Sequence, residues 1–177
     1  MSGDVSMPTM IDPAAWPEPL SRLRSGFAGQ LNVYRVMAHH PALLIAWETF
    51  RNHVVLDNAL GRQGSEVVIL RTAHRWGSAY EWSSHIVRAR ACGFSDARID
   101  SIRATMDAMD PSDATLARAV DELIDDGRLS AETAASIQRL VGTAGLLDLM
   151  ATVGMYSTLA FIVNTCHAPI ESAASTR

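Results

Sequence analysis

Two adjacent small residues, Gly77-Ser78, separate two runs of helical periodicity, and this break limits what the chain can fold into more than any other feature. Upstream, Glu66-Val-Val-Ile-Leu-Arg-Thr-Ala-His-Arg-Trp76 reads as a helix with Val67, Leu70 and Ala73 along one side and His74 beside them. Downstream, residues 78–92 read as a second helix, ended by Gly93 in the position of a C-terminal capping glycine. If Gly77 ends one helix and Ser78 starts the next, then Ser78, Glu81 and His85 stand at i, i+3 and i+7 on one stripe. A carboxylate and an imidazole then face the same volume.

The rest of the chain has the same period. Leu20, Leu23 and Phe27 mark a short helix after Pro19, and residues 32–39 a second one. His40-Pro41 looks like a helix entry, since proline is tolerated where its missing N–H has no intrahelical partner. The helix it opens, 41–56, would bury Leu43, Leu44, Trp47, Phe50 and Val54. Residues 61–64 break the pattern with two glycines, and Ser95 or Asp96 starts a helix as far as Ala108. Asp110-Pro111 opens another through Asp125, with Leu116, Ala119, Val120 and Leu123 inward and Gly127 as its stop. Ser130 caps a helix over 131–141, and a last one runs from Gly145 to about Thr165.

No stretch alternates with period two between hairpin turns, so the expected fold class is all-α, a compact bundle of about eight helices. The expected organisation is a flexible N-terminal arm over 1–16, a single helical domain over 17–171 and a tail over 172–177. The apolar run 149–163 contains Thr152, Ser157 and Thr158 and falls short of the roughly 20 residues a bilayer needs. It is expected to be a buried or subunit-interface helix.

Hydrophobic residues make up 48% and charged residues 19%, which excludes a disordered chain, and a net charge of -4 without a basic block argues against nucleic acid. Cys92 and Cys166 are far apart in apolar contexts and read as two reduced, buried thiols. Residues 1–10 show no basic segment followed by an apolar core, so no signal peptide is expected and the cytoplasm is the default location.

Two readings of the central stripe stay open. Ser78-Ala79-Tyr80-Glu81 fits a capping box, in which serine bonds the third amide and the glutamate reaches back to the serine N–H. Glu66, in the first turn of its helix, would be favoured there by the helix dipole alone. Against this, Glu81 one turn before His85 can orient the ring, and Trp76, Tyr80 and Trp82 would dry the pocket around a proton-transfer pair. Metal readings are weaker. His39 and His40 point about 100 degrees apart on a helix and do not simply converge with His53, and no Glu-x-x-His is present to build a dinuclear centre around Glu66, Glu81 and His85.

Residues 66–99, together with Asn32-Val-Tyr-Arg-Val-Met-Ala-His-His-Pro41 and Leu146-Leu-Asp-Leu-Met-Ala-Thr-Val-Gly-Met-Tyr156, resemble the carboxymuconolactone decarboxylase superfamily, which also holds the alkyl hydroperoxidase D-type peroxidases. The resemblance covers about residues 18–171 and implies an all-helical fold in homo-oligomers, trimers or hexamers, with sites near subunit contacts. In the peroxidase branch a Cys-x-x-Cys opens the central helix, a histidine lies four residues after the second cysteine and a glutamate twelve before the first. Carried over, these are His85 and Glu66, but the cysteine positions hold Ser78 and Glu81. Neither can form a resolving disulfide, so thiol-based peroxide reduction is not expected.

The resemblance to the decarboxylase-like branch implies a lyase or isomerase that moves one proton on a small lactone or unsaturated acid, without cofactor or metal. Its expected catalytic residues are His85, Glu81, Glu66 and Tyr80, with Ser78, His74 and Trp82 around the substrate. The alternative is a non-catalytic protein of the same fold that binds a small ligand. Partners beyond the small molecule and further copies of the chain, whether nucleic acid or membrane, are not expected.

Overall fold

A computed structural model describes residues 6–171, the side chain of Phe27 excepted. Among the described residues there are eight α-helices and no strand: α1 (Ser21–Arg24), α2 (Asn32–Met37), α3 (Pro41–Asn52), α4 (Gly61–Arg75), α5 (Ala79–Ala91), α6 (Asp96–Ser101), α7 (Pro111–Asp126) and α8 (Ala131–Cys166). The 172–177 tail, the first five residues of the expected arm and the Phe27 member of the 20/23/27 stripe lie outside the described residues.

The chain divides into two units, one of Met1–Phe50 with Phe161–Arg177 and one of Arg51–Ala160, so that the division falls within α3 and within α8. In the first unit, the Ile11 N–H donates to Arg35 O, the Trp16 indole N–H donates to Ile11 O, and His39 Nε2–H donates to Thr9 O. Glu171 accepts the Asn32 N–H at the start of α2 (2.8 Å). Leu44 and Trp47 of α3 are buried as expected, whereas Leu43 and Phe50 are exposed, which makes the buried stripe narrower than the five residues read from the sequence.

The second unit is built around α4. Every residue from Ser65 to Ala73 is buried, so this helix is enclosed on all sides rather than amphipathic, with α5 and α7 packed against it. Val67, Val68 and Leu70 join Trp82 and Ala89 of α5 and Leu116, Ala119 and Val120 of α7 in one core, each large aliphatic contributing about 1.5–3 kcal/mol by leaving water. The buried polar residues of α4 are engaged. Thr72 Oγ1 donates back to Val68 O, Glu66 meets His85, and the Arg71 guanidinium forks onto Asp121 while also donating to the carbonyls of Ile102 and Ala104.

Several boundaries differ from the expected ones, each for a physical reason. Helix α4 begins at Gly61, because Leu60 and Leu116 close to 3.6 and 3.7 Å on the position a Gly64 Cβ would take, and this packing outweighs glycine's low propensity. Glu66 therefore lies beyond the first turn and is no dipole cap. The expected helix from Ser95 to Ala108 stops at Ser101, where the N–H groups of Ile102, Arg103 and Ala104 donate to carbonyls three residues back instead of four, and Arg71 engages the carbonyls of Ile102 and Ala104. The 41–56 helix is α only to Asn52 and continues as a π-helix, His53–Asp57. Asp148 brackets that turn by accepting from His53 Nε2 (2.7 Å) and from the Ala59 N–H (2.6 Å). The last two expected helices are both present and meet end to end within α8, separated by the non-helical Gly142, whose φ of 75° lies in the left-handed region. By length and composition α8 is apolar enough to cross a membrane, yet half of its most apolar window is buried within the protein.

Candidate functional site

The turn between α4 and α5 sets the geometry. Gly77, at φ +59°, lets its N–H bond His74 O while the Ser78 N–H bonds Ala73 O (2.9 Å), the paired closure of a glycine-terminated helix. The Ser78 hydroxyl then accepts the Glu81 N–H (3.4 Å), so one residue closes α4 and caps α5. Because the Ser78 N–H is already taken by Ala73, only half of the capping box is present. The Glu81 carboxylate instead approaches His85, with Oε2 at 3.9 Å from Nε2.

The other ring nitrogen has a closer partner. His85 Nδ1–H donates to Glu66 Oε2 at 2.7 Å, and this bond fixes the tautomer that leaves Nε2 as proton acceptor. The pair is enclosed, with His85 2% and Glu66 8% exposed, and the Tyr156 ring stands edge-on to the imidazole at 5.0 Å. Burial holds the His85 pKa below the ordinary imidazole value; Glu66 opposes this through its bond and charge, and Arg88 adds to it. The ring is therefore neutral at pH 7.

Glu66 and His85 border a cavity of about 350 Å³ whose wall includes Val54, Leu56, Ile69, Arg62, Arg88 and Tyr156. Among the described residues no carboxylate pairs with Arg62 or Arg88. Neither arginine stands out in the sequence, although Arg62 precedes Glu66 by four residues and Arg88 follows His85 by three, both helical neighbours. Tyr156 comes from α8 and had no local signal. Cys92 also lies on this wall and, like Cys166, is half-buried, which corrects the expectation of two buried thiols.

The remaining expected residues fall elsewhere. Ser78, His74 and Trp82 border a second cavity of about 410 Å³ at the other end of the α4–α5 hairpin, together with Ser83 and Arg103. Tyr80 and Glu81 are buried and border neither of these two cavities. The phenol at the His85 cavity is Tyr156, not Tyr80. His39 and His40 do not join His53 in a cluster: His39 bonds Thr9 O, His40 Nδ1 accepts the Leu43 N–H, and His53 bonds Asp148.

Glu81→Gln separates the two readings of Glu81. The cap rests on the Glu81 amide, which glutamine retains, so the cap itself should survive the substitution. If the carboxyl at 3.9 Å from Nε2 tunes the ring, its replacement should move the titration of His85. An unmoved titration would assign Glu81 to packing alone.

Comparison with known proteins agrees with this architecture. Residues 41–124 match the model of the Carboxymuconolactone decarboxylase family. The fold is similar to the crystal structure of an alkylhydroperoxidase AhpD core, an uncharacterized peroxidase-related protein from Ralstonia eutropha JMP134, with a TM-score of 0.80 and 14% identity over 98% of this chain and 96% of that one. No curated protein matches the sequence. The matched segment contains Glu66, Glu81 and His85 but neither cysteine of the redox pair, and over these residues the chain is similar to the Carboxymuconolactone decarboxylase family, on a fold like that of the AhpD core.

Proposed function

We propose that the chain is a cofactor-independent enzyme of the lyase or decarboxylase type, acting on a small lactone or unsaturated carboxylic acid by proton transfer through His85. The observation that carries this is a buried, neutral imidazole, oriented by Glu66, on the wall of a cavity that also holds two arginines without carboxylate partners. Arginine binds carboxylates through a planar fork, so Arg62 and Arg88 are the anchors for the substrate's acid group. His85 Nε2 takes up a proton and delivers it to carbon. As the bond to the departing carboxylate breaks, its electron pair remains on the substrate carbon and accepts that proton, CO2 leaves, and the ring ends neutral as it began, one solvent proton having been consumed.

Substrate and imidazole are coupled in this scheme. Arg88 lowers the proton affinity of His85, and a bound carboxylate offsets that charge, so the ring becomes more basic when substrate is present. The test is turnover of a panel of lactones and unsaturated carboxylic acids by the purified protein, with Arg88→Gln alongside. For the acid that is turned over, Arg88→Gln should raise KM about tenfold or more, the loss of one charged hydrogen-bonding partner. Saturable binding without turnover of any member would replace the enzyme with a ligand-binding protein.

A further inference from the structure

The cavity at the start of α5 has its own cation, its own aromatic wall and no lining residue in common with the Glu66–His85 cavity. The Arg103 guanidinium lies 3.7 Å from the centre of the Trp82 ring, which covers one of its faces, while Arg103 itself is exposed. Among the described residues Arg103 has no carboxylate partner. Its backbone is held on both sides, because the buried Arg71 donates to Ile102 O (2.8 Å) and Ala104 O (3.1 Å). The charge is thus presented from a fixed position rather than from a loose loop.

The opposite wall supplies a second polar group. His74 stands edge-to-face with Trp82 at 6.4 Å. Partial desolvation, then the charges of Arg71, Arg103 and Arg75, hold its pKa below the ordinary value, so it is neutral at pH 7 and able to donate or accept. The α5 N–H groups of Ala79 and Tyr80 precede the one that Ser78 caps, and their helix end favours negative charge. Ala73, Ala79 and Trp82 give the rest of the wall an apolar character that suits a carbon skeleton more than a bare inorganic ion.

We infer that this cavity is a second ligand site, for a small organic carboxylate whose acid group pairs with Arg103 and whose apolar body rests against Ala73, Ala79 and Trp82. It does not depend on the catalytic reading of His85. Seven residues of helix separate Ser78 from His85, about 10 Å along α5. Two ligands fit at the same time.

Titration of the wild-type protein with benzoate at constant ionic strength, followed by the four indole N–H signals in nitrogen-15 NMR, tests it. The Trp82 signal, assigned by its absence in Trp82→Phe, should shift saturably. Arg103→Gln should weaken that binding about tenfold or more, while Arg88→Gln should leave it unchanged. Binding lost with Arg88→Gln but kept in Arg103→Gln would place the ligand in the other cavity and overturn the inference, as would a shift that never saturates. Inorganic phosphate saturating the same signal while benzoate does not would overturn the choice of an organic carboxylate.

Discussion

Replacing His85 with glutamine or alanine is expected to lower kcat by about 100-fold or more, within the range lost when a general acid–base group is removed, with the fold retained. Glutamine is the better probe, because its amide can still donate to Glu66 where alanine would leave that buried carboxylate without the bond it makes to His85 Nδ1. The pH profile adds a sign. Burial first, with Arg88, holds the His85 pKa below 6.5 against the opposing effect of Glu66. If the free enzyme must offer a neutral ring, kcat/KM rises as pH climbs through that lowered pKa and is level above it. A profile that falls over the same interval would mean that the proton is given before one is taken, and an active His85→Ala enzyme would end the proposal. Stability follows the same ring. Below pH 6.5 the unfolded imidazole takes up a proton that the buried one resists, so the folded state loses stability with acid, and His85→Gln removes that part of the loss.

What could be read from the sequence was local. Gly77-Ser78 announced a stop and a start one residue apart, and both are present, with Ser78 serving each helix. The Glu66–His85 partnership spans 19 positions and came from resemblance to a family, since spacing alone does not say that α4 and α5 fold back on one another. Glycines at 61 and 64 hid the true start of α4, because propensity carries no information about Leu60 and Leu116 closing on that turn. The expected single pocket is two, for a reason the helix rise already contained. Ser78, His74 and Trp82 gather at one end of the hairpin and Glu66 and His85 further along it, so a cluster tight in sequence extends over about 10 Å of helix. Tyr156 and Asp148 arrive from α8, about 70 or more positions from the residues they touch, and no window on the sequence reaches that far.

The largest loss of stability is expected from Asp121→Ala. Arg71 is a charged side chain in the middle of the central helix, and its guanidinium is accommodated by a two-point fork onto Asp121 at 2.9 and 2.6 Å. Arg75 approaches the same carboxylate at 2.8 Å. Removing Asp121 leaves the Arg71 charge in a low-dielectric position with only the carbonyls of Ile102 and Ala104, a change that costs about 3–5 kcal/mol, a large part of what a domain of this size has. Asp121→Asn keeps the shape and one acceptor and should cost less. Acid should reproduce part of the effect. Burial pushes the Asp121 carboxyl up, but the bonds and charges of Arg71 and Arg75 together outweigh it and hold the pKa below 3.8. A depressed carboxyl stabilises the fold above its unfolded value and loses that contribution as pH falls through the folded one, so wild type should weaken below about pH 4 through this group and Asp121→Asn should not. Denaturant melts of the three proteins at neutral and acid pH measure both differences. Because Arg71 also fixes the backbone on either side of Arg103, the same substitution should loosen benzoate at the second cavity before it affects proton transfer at His85, and an Asp121→Ala protein as stable as wild type would show that the central helix tolerates its arginine without the fork.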